Sequence, residues 1–147
     1  MRNKQIKQGG SMKKKLILIL AIISMLISGT AYSAEKNVLL KTTKTWDNEQ
    51  YQKLKIKKPE VTVLKISIAP GEVLHMHKHD IVNIAYVEKG TLTVITDKNE
   101  QITVQEGECL PEIIGKYHYG KNSGKNTLVL VVFYVGEKGT PLSVDKK

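Results

Sequence analysis

The fold this sequence predicts is an all-β sandwich or barrel, and three observations predict it. Short runs of β-forming residues follow one another from Val61 onward, turn residues separate them, and no helical period appears outside the N-terminal apolar run. The first run, Val61–Ile68, stops at Pro70-Gly71, and the second, Val73–His79, leads directly into Ile81–Val87. Lys89-Gly90 closes that third run. Thr91–Thr96 and Gln101–Val104 then read as a hairpin about Asp97-Lys98-Asn99. After Gly107 and the Asn122–Lys125 turn comes Leu128–Val135, apolar almost throughout, as a strand buried on both faces would be. Gly71, Gly90, Gly107 and Gly115 fall at strand ends, where the chain must turn tightly or take a positive φ.

The length of 147 residues gives room for one ordinary domain. Composition first suggests an anion-binding protein, with 23 Lys+Arg against 14 Asp+Glu. The excess is local, however. Six bases (Arg2, Lys4, Lys7, Lys13, Lys14 and Lys15) precede the first acid, and residues 34–147 carry 17 bases against 14 acids, only +3. That balance argues against nucleic acid as a partner.

The basic cluster belongs to a different pattern. Lys13-Lys14-Lys15 precedes the apolar run Leu16–Ile27, and small residues follow at Ala31 and Ser33. A positive cluster, a short apolar core and small residues at its end make a secretory signal peptide, here residues 1–33, starting at Met1 or Met12. The run is shorter than the roughly 20 apolar residues of a spanning helix, so no stable membrane anchor is expected. The mature protein is expected to be exported, and periplasmic if the cell has an outer membrane. Its one cysteine, Cys109, cannot form an internal disulfide, so the domain must be held by its core. A small buried apolar role is expected for that thiol.

The mature chain divides into an arm or edge strand at 34–60, a β-barrel at 61–136 and a tail at 137–147. The arm is Lys-rich, with Trp46 and Tyr51 as its large apolar anchors. An extended arm of this kind suits edge pairing with a second copy, so a homodimer is an expected assembly.

The chemistry lies with the four histidines. His75, His77 and His79 recur at a spacing of two, so in a regular strand all three imidazoles leave from one face. Converging neutral imidazoles suit a borderline divalent metal, although a solvated His-rich strand has the same spacing. His118 lies in a second group, Gly115-Lys-Tyr-His118-Tyr-Gly-Lys-Asn122.

Together these segments resemble the two motifs of the cupin superfamily. Gly71, His77, His79 and Gly90 match the first motif at the right spacings, with Asn83 in its Glu slot. Gly107, Gly115, His118 and Asn122 match the second, with Ile113 in its Pro slot. Sixteen residues separate the motifs, and the resemblance covers roughly residues 61–136. It implies a double-stranded β-helix, or jelly-roll barrel, with His77, His79 and His118 as ligands to Fe, Mn, Ni or Zn.

The departure at Asn83 leaves the rest of the shell open. An amide oxygen is a weak ligand for a transition metal. One reading is a three-His centre in which Asn83 only hydrogen-bonds a water or ligand; in the other, His75 or Glu112 completes the shell. Glu112 is the only acid within the second motif. Tyr117 and Tyr119 flank His118 and should point away from it in a regular strand. The resemblance is compatible with a metal-dependent oxygenase or lyase acting on a small organic substrate. It is equally compatible with a non-catalytic module that binds a metal or small molecule, or with a scaffold protein.

Overall fold

The computed structural model describes residues 33–147, and Asn37–Lys147 form one compact unit. The expected signal peptide lies outside the described residues, apart from its last residue, Ser33. Among the described residues no helix is long and apolar enough to cross a membrane.

Nine strands run in order: β1 (Pro59–Ile68), β2 (His77–Lys78), β3 (Val82–Lys89), β4 (Thr91–Thr96), β5 (Gln101–Gln105), β6 (Cys109–Pro111), β7 (His118–Asn122), β8 (Leu128–Glu137) and β9 (Val144–Asp145). They form two antiparallel sheets, β1-β8-β3-β6 and β5-β4-β7-β2-β9. Alternation sends one set of side chains from each sheet into the shared interior. Ile68, Ala85, Val87, Leu110, Leu128, Leu130 and Val132 come from the first sheet, and Leu92, Val94 and Val104 from the second. This is a jelly-roll barrel, and the all-β expectation holds.

Two of the expected strands differ. Val73–His79 is not one strand; only His77–Lys78 is, because Val73 makes an isolated bridge to Lys121 and residues 74–76 are irregular. Nor is β8 buried on both faces. Its residues alternate between buried and partly exposed, and Phe133 on the outer face is 45% exposed. That outer side continues onto Val63, registered opposite Phe133 and also exposed. Cys109 is half-buried in β6.

The four glycines take positive φ as expected, between 73° and 92°. Gly90 also lies against the neighbouring strand, where a Cβ would come within 3.2 Å of the Leu128 Cα, so only glycine fits between β3 and β4.

The arm is turned back on itself near Asn48 rather than extended. Thr45 N donates to the Glu49 carbonyl at 2.9 Å, and Trp46 N to the Pro111 carbonyl on β6, also at 2.9 Å. Lys116 fastens the turn from the barrel side, 2.5 Å from Asp47 and 2.6 Å from Glu49. The tail also docks. β9 pairs with β2, placing Asp145 opposite His77, and Leu142 packs against the core.

Candidate metal centre

Strand pairing places the histidines. His77 on β2 and His118 on β7 are directly opposite, with ring centroids 4.8 Å apart. Opposite residues of an antiparallel pair share one face, so both rings enter the barrel. His79 lies two residues beyond His77 on the same side, 4.8 Å from the His77 ring and 5.1 Å from that of His118. One nitrogen from each of the three lies within 4.8 Å of the others. His79 and His118 are buried, and His77 is half-buried at the mouth. His75 is exposed and stands outside this group, because the irregular backbone before β2 breaks the alternation that would have aligned it.

The other nitrogen of each ring is fixed by a backbone carbonyl. His77 Nδ1 donates to the His75 carbonyl at 2.8 Å, His79 Nδ1 to that of Leu142 at 2.7 Å, and His118 Nδ1 to that of Lys116 at 3.0 Å. A carbonyl can only accept, so each Nδ1 carries a proton, and Nε2 is the nitrogen left to face the interior. These nitrogens converge: the Nε2 atoms of His77 and His79 are 3.2 Å apart.

Glu112 adds a fourth donor. Its Oε2 lies 3.0 Å from His118 Nε2 and 3.6 Å from His79 Nε2. Burial alone would push the Glu112 carboxyl up, but its bonds to His118 and His79 outweigh this and hold it down at about 2. Burial likewise lowers His79, and the bond to Glu112 overcomes it and raises the ring. At His77 burial prevails and the ring is lowered. Three ring nitrogens and a carboxylate oxygen thus need a positive centre among them, a proton or a metal ion. The donor set fits a borderline divalent metal, and carbonyls on every Nδ1 are the outer partners that metal-binding imidazoles use.

The sequence profile of the Cupin domain family matches residues 64–134, the stretch that supplies His77, His79, Glu112 and His118. Residues 64–134 are a cupin domain. No curated protein sequence is a significant match. Among solved structures, this cupin is similar to a Klebsiella pneumoniae protein described as an uncharacterized conserved protein with double-stranded beta-helix domain. Identity is 15%, coverage is 85% of this chain and 95% of that one, and the TM-score is 0.50. It is also similar to the DMSP lyase DddQ from Ruegeria pomeroyi, at 13% identity over 58% of this chain and 43% of that one, with a TM-score of 0.50. The cupin therefore spans less than half of the lyase, and at these identities the likeness shows the fold alone.

Asn83 occupies the cupin Glu slot on β3. Its side chain is fully buried, and neither Oδ1 nor Nδ2 has a hydrogen-bond partner. Tyr134, directly across from it on β8, is 6% exposed, and its ring centroid is 5.8 Å from that of His79. Burial, with the Glu112 charge adding to it, pushes the Tyr134 hydroxyl up to about 12. Tyr119 alternates away from His118 as expected, and Tyr117 lies beneath the Lys146 ammonium, 5.1 Å from its ring centroid.

The histidines and Glu112 open on a cavity of about 50 Å³, walled by Ile66, Leu74, Leu92, Val94, Leu130 and Val132. That is room for an ion and a few waters. Two larger grooves, of about 550 and 460 Å³, flank Trp46 and Tyr51, and neither is lined by a histidine.

Sequence reasoning missed two parts of this centre. Leu142 holds His79 through its backbone carbonyl, and the only signal was a lone leucine after Thr140-Pro141 in a polar tail. Tyr134 was visible only as part of an apolar strand, because its direction depends on β8 facing the interior with every second residue.

Proposed function

We propose that this protein is an exported metalloprotein in which His77, His79 and His118 bind one divalent transition metal, and that it acts on a small organic substrate by oxygenase or lyase chemistry. The metal site is supported by the backbone carbonyl on Nδ1 of all three rings, which leaves three Nε2 atoms as the nitrogens that meet in one space. The reading of export rests on the basic cluster, short apolar run and small residues of 1–33.

A bound ion of this class supplies Lewis acidity to an oxygen-bearing ligand. The chain's own groups do the rest. The backbone carbonyls orient the rings, the aliphatic walls exclude bulk water, and Glu112, anionic beside two imidazoles, supplies negative charge and a hydrogen-bond acceptor at Oε2. A carboxylate at the centre answers the deficit that Asn83 creates in the first motif.

The size of the cavity favours a second reading, a non-catalytic module that binds metal or a small ligand. About 50 Å³ admits few atoms beyond an ion, so an organic substrate of any size would have to bind at the mouth beside His77.

Metal analysis of the mature protein, purified without a histidine tag, tests the site. The expected result is close to one Fe, Mn, Ni or Zn per chain, lost in the His77→Ala, His118→Ala double variant; equal content in both proteins would contradict it. Oxygen consumption and product formation over a panel of small carboxylates and phenols then separate enzyme from binder.

A further inference from the structure

Asn83 and Glu112 are neighbours by register. β3 and β6 pair Ala85 with Leu110 and Ile84 with Pro111, and one step further Glu112 N donates to the Asn83 carbonyl at 3.2 Å. Positions 83 and 112 are thus opposite each other across the two strands. Both side chains are buried on the inward face, as Ala85 and Leu110 are in the next row. Side chains placed so have Cβ atoms roughly 5 Å apart, so a Glu at either position reaches much the same region. This chain has its carboxylate on one side of the pair and an amide on the other.

The carboxylate is the one engaged. Glu112 Oε2 lies 3.0 Å from His118 Nε2 and 3.6 Å from His79 Nε2, two of the three grouped histidines, whereas Asn83 bonds nothing through its side chain. A structural ion pair with His118 alone would not require the Nε2 atoms of His77 and His79 to gather at the same place. Three imidazoles and one carboxylate are a four-donor set of the kind a divalent metal takes.

We propose that Glu112 is the fourth metal ligand, and that the carboxylate placed at position 83 by the first motif has been transposed across the β3–β6 pair to position 112. This assignment rests on the three-histidine reading above. It makes Asn83 a buried polar group not bound to the metal, with its amide NH2 and oxygen both free for a water or ligand.

An exchange experiment tests the transposition. Apo wild type, Glu112→Gln, Glu112→Asn and the double variant Asn83→Glu/Glu112→Asn are titrated with Zn(II) and Co(II) against a chromophoric chelator, and circular dichroism and thermal melting check the fold. Removal of the Glu112 carboxylate is expected to weaken binding at least as much as loss of an outer partner, about 10–100-fold, and the exchange to restore it to within about tenfold of wild type. A folded exchange variant that binds no better than Glu112→Asn overturns the transposition. X-ray absorption of the Co(II)-loaded wild type needs no variant to fold and is expected to show three imidazoles and one carboxylate oxygen; a spectrum without the carboxylate overturns the assignment. Wild-type affinity in Glu112→Gln also overturns the assignment while leaving the three-histidine centre standing. A wild type that binds neither metal overturns both.

Discussion

His118 and the His77/His79 pair meet at one point but are held in different ways. His118 begins β7, which pairs with β4 along five consecutive positions from Leu92–Asn122 to Thr96–His118, in the middle of its sheet. His77 begins the two-residue strand β2 and His79 directly follows it, and the other neighbour of that strand is β9, close to the chain end. The tail holds this side in several ways. Leu142 accepts from His79 Nδ1, Asp145 pairs with His77, and Lys146 N donates to the Met76 carbonyl at 2.9 Å. Lys146 Nζ in turn is 3.0 Å from Asp97. One histidine of the candidate centre is thus built into the body of the barrel, and the other two are also held by the last few residues. If the three bind metal, the proposed centre needs the docked tail, although the tail contributes little to the core.

The largest expected effect comes from breaking the rigid side. His118→Ala removes a ligand and leaves Glu112, 9% exposed, without its nearest partner, so metal binding should disappear and stability should fall by about 3–5 kcal/mol. Calorimetry and chemical denaturation read the two losses. A drop in affinity with unchanged stability would show that Glu112 does not depend on His118.

Truncation after Gly139 attacks the other side. It leaves β1 to β8 whole and removes the Leu142 carbonyl and β9, so the β-sheet signal should persist while metal affinity falls about 10–100-fold. For wild type, metal at 100 times its Kd should add about 2.7 kcal/mol of stability, and the truncated protein at the same concentration should gain much less. Equal stabilisation in both proteins would remove the tail from the centre.

Lys116→Met is the smallest test and a control on the comparison. It releases Asp47 and Glu49 of the arm from the barrel, but the Lys116 carbonyl that orients His118 belongs to the backbone and stays. The lysine side chain is 40% exposed, so the expected cost is about 0.5–1 kcal/mol with metal affinity unchanged. A loss of affinity here would mean that the arm also supports the site.

The same division explains what could be read from the sequence. Regular pairing is legible: Thr91–Thr96 has the expected bounds, and Gly90 marks the tight turn from β3 to β4. β7 has the sequence His-Tyr-Gly-Lys-Asn, with little β-forming character, and exists because β4 and β2 pair with it, which no local pattern announces. His75 was misplaced for a related reason. A spacing of two aligns side chains only while the backbone stays extended, and residues 74–76 do not. Glu112 stood out as the only acid of the second motif, but its direction depends on the β3–β6 register. The unpartnered amide of Asn83 could not be foreseen, because a missing hydrogen bond depends on every neighbour at once.

The most direct test of the central claim is anomalous diffraction from a crystal of the mature protein soaked with Zn(II) or Co(II). One peak is expected inside the barrel, about 2.0–2.2 Å from the Nε2 atoms of His77, His79 and His118. No peak among these nitrogens, or a peak only at exposed His75, would contradict it.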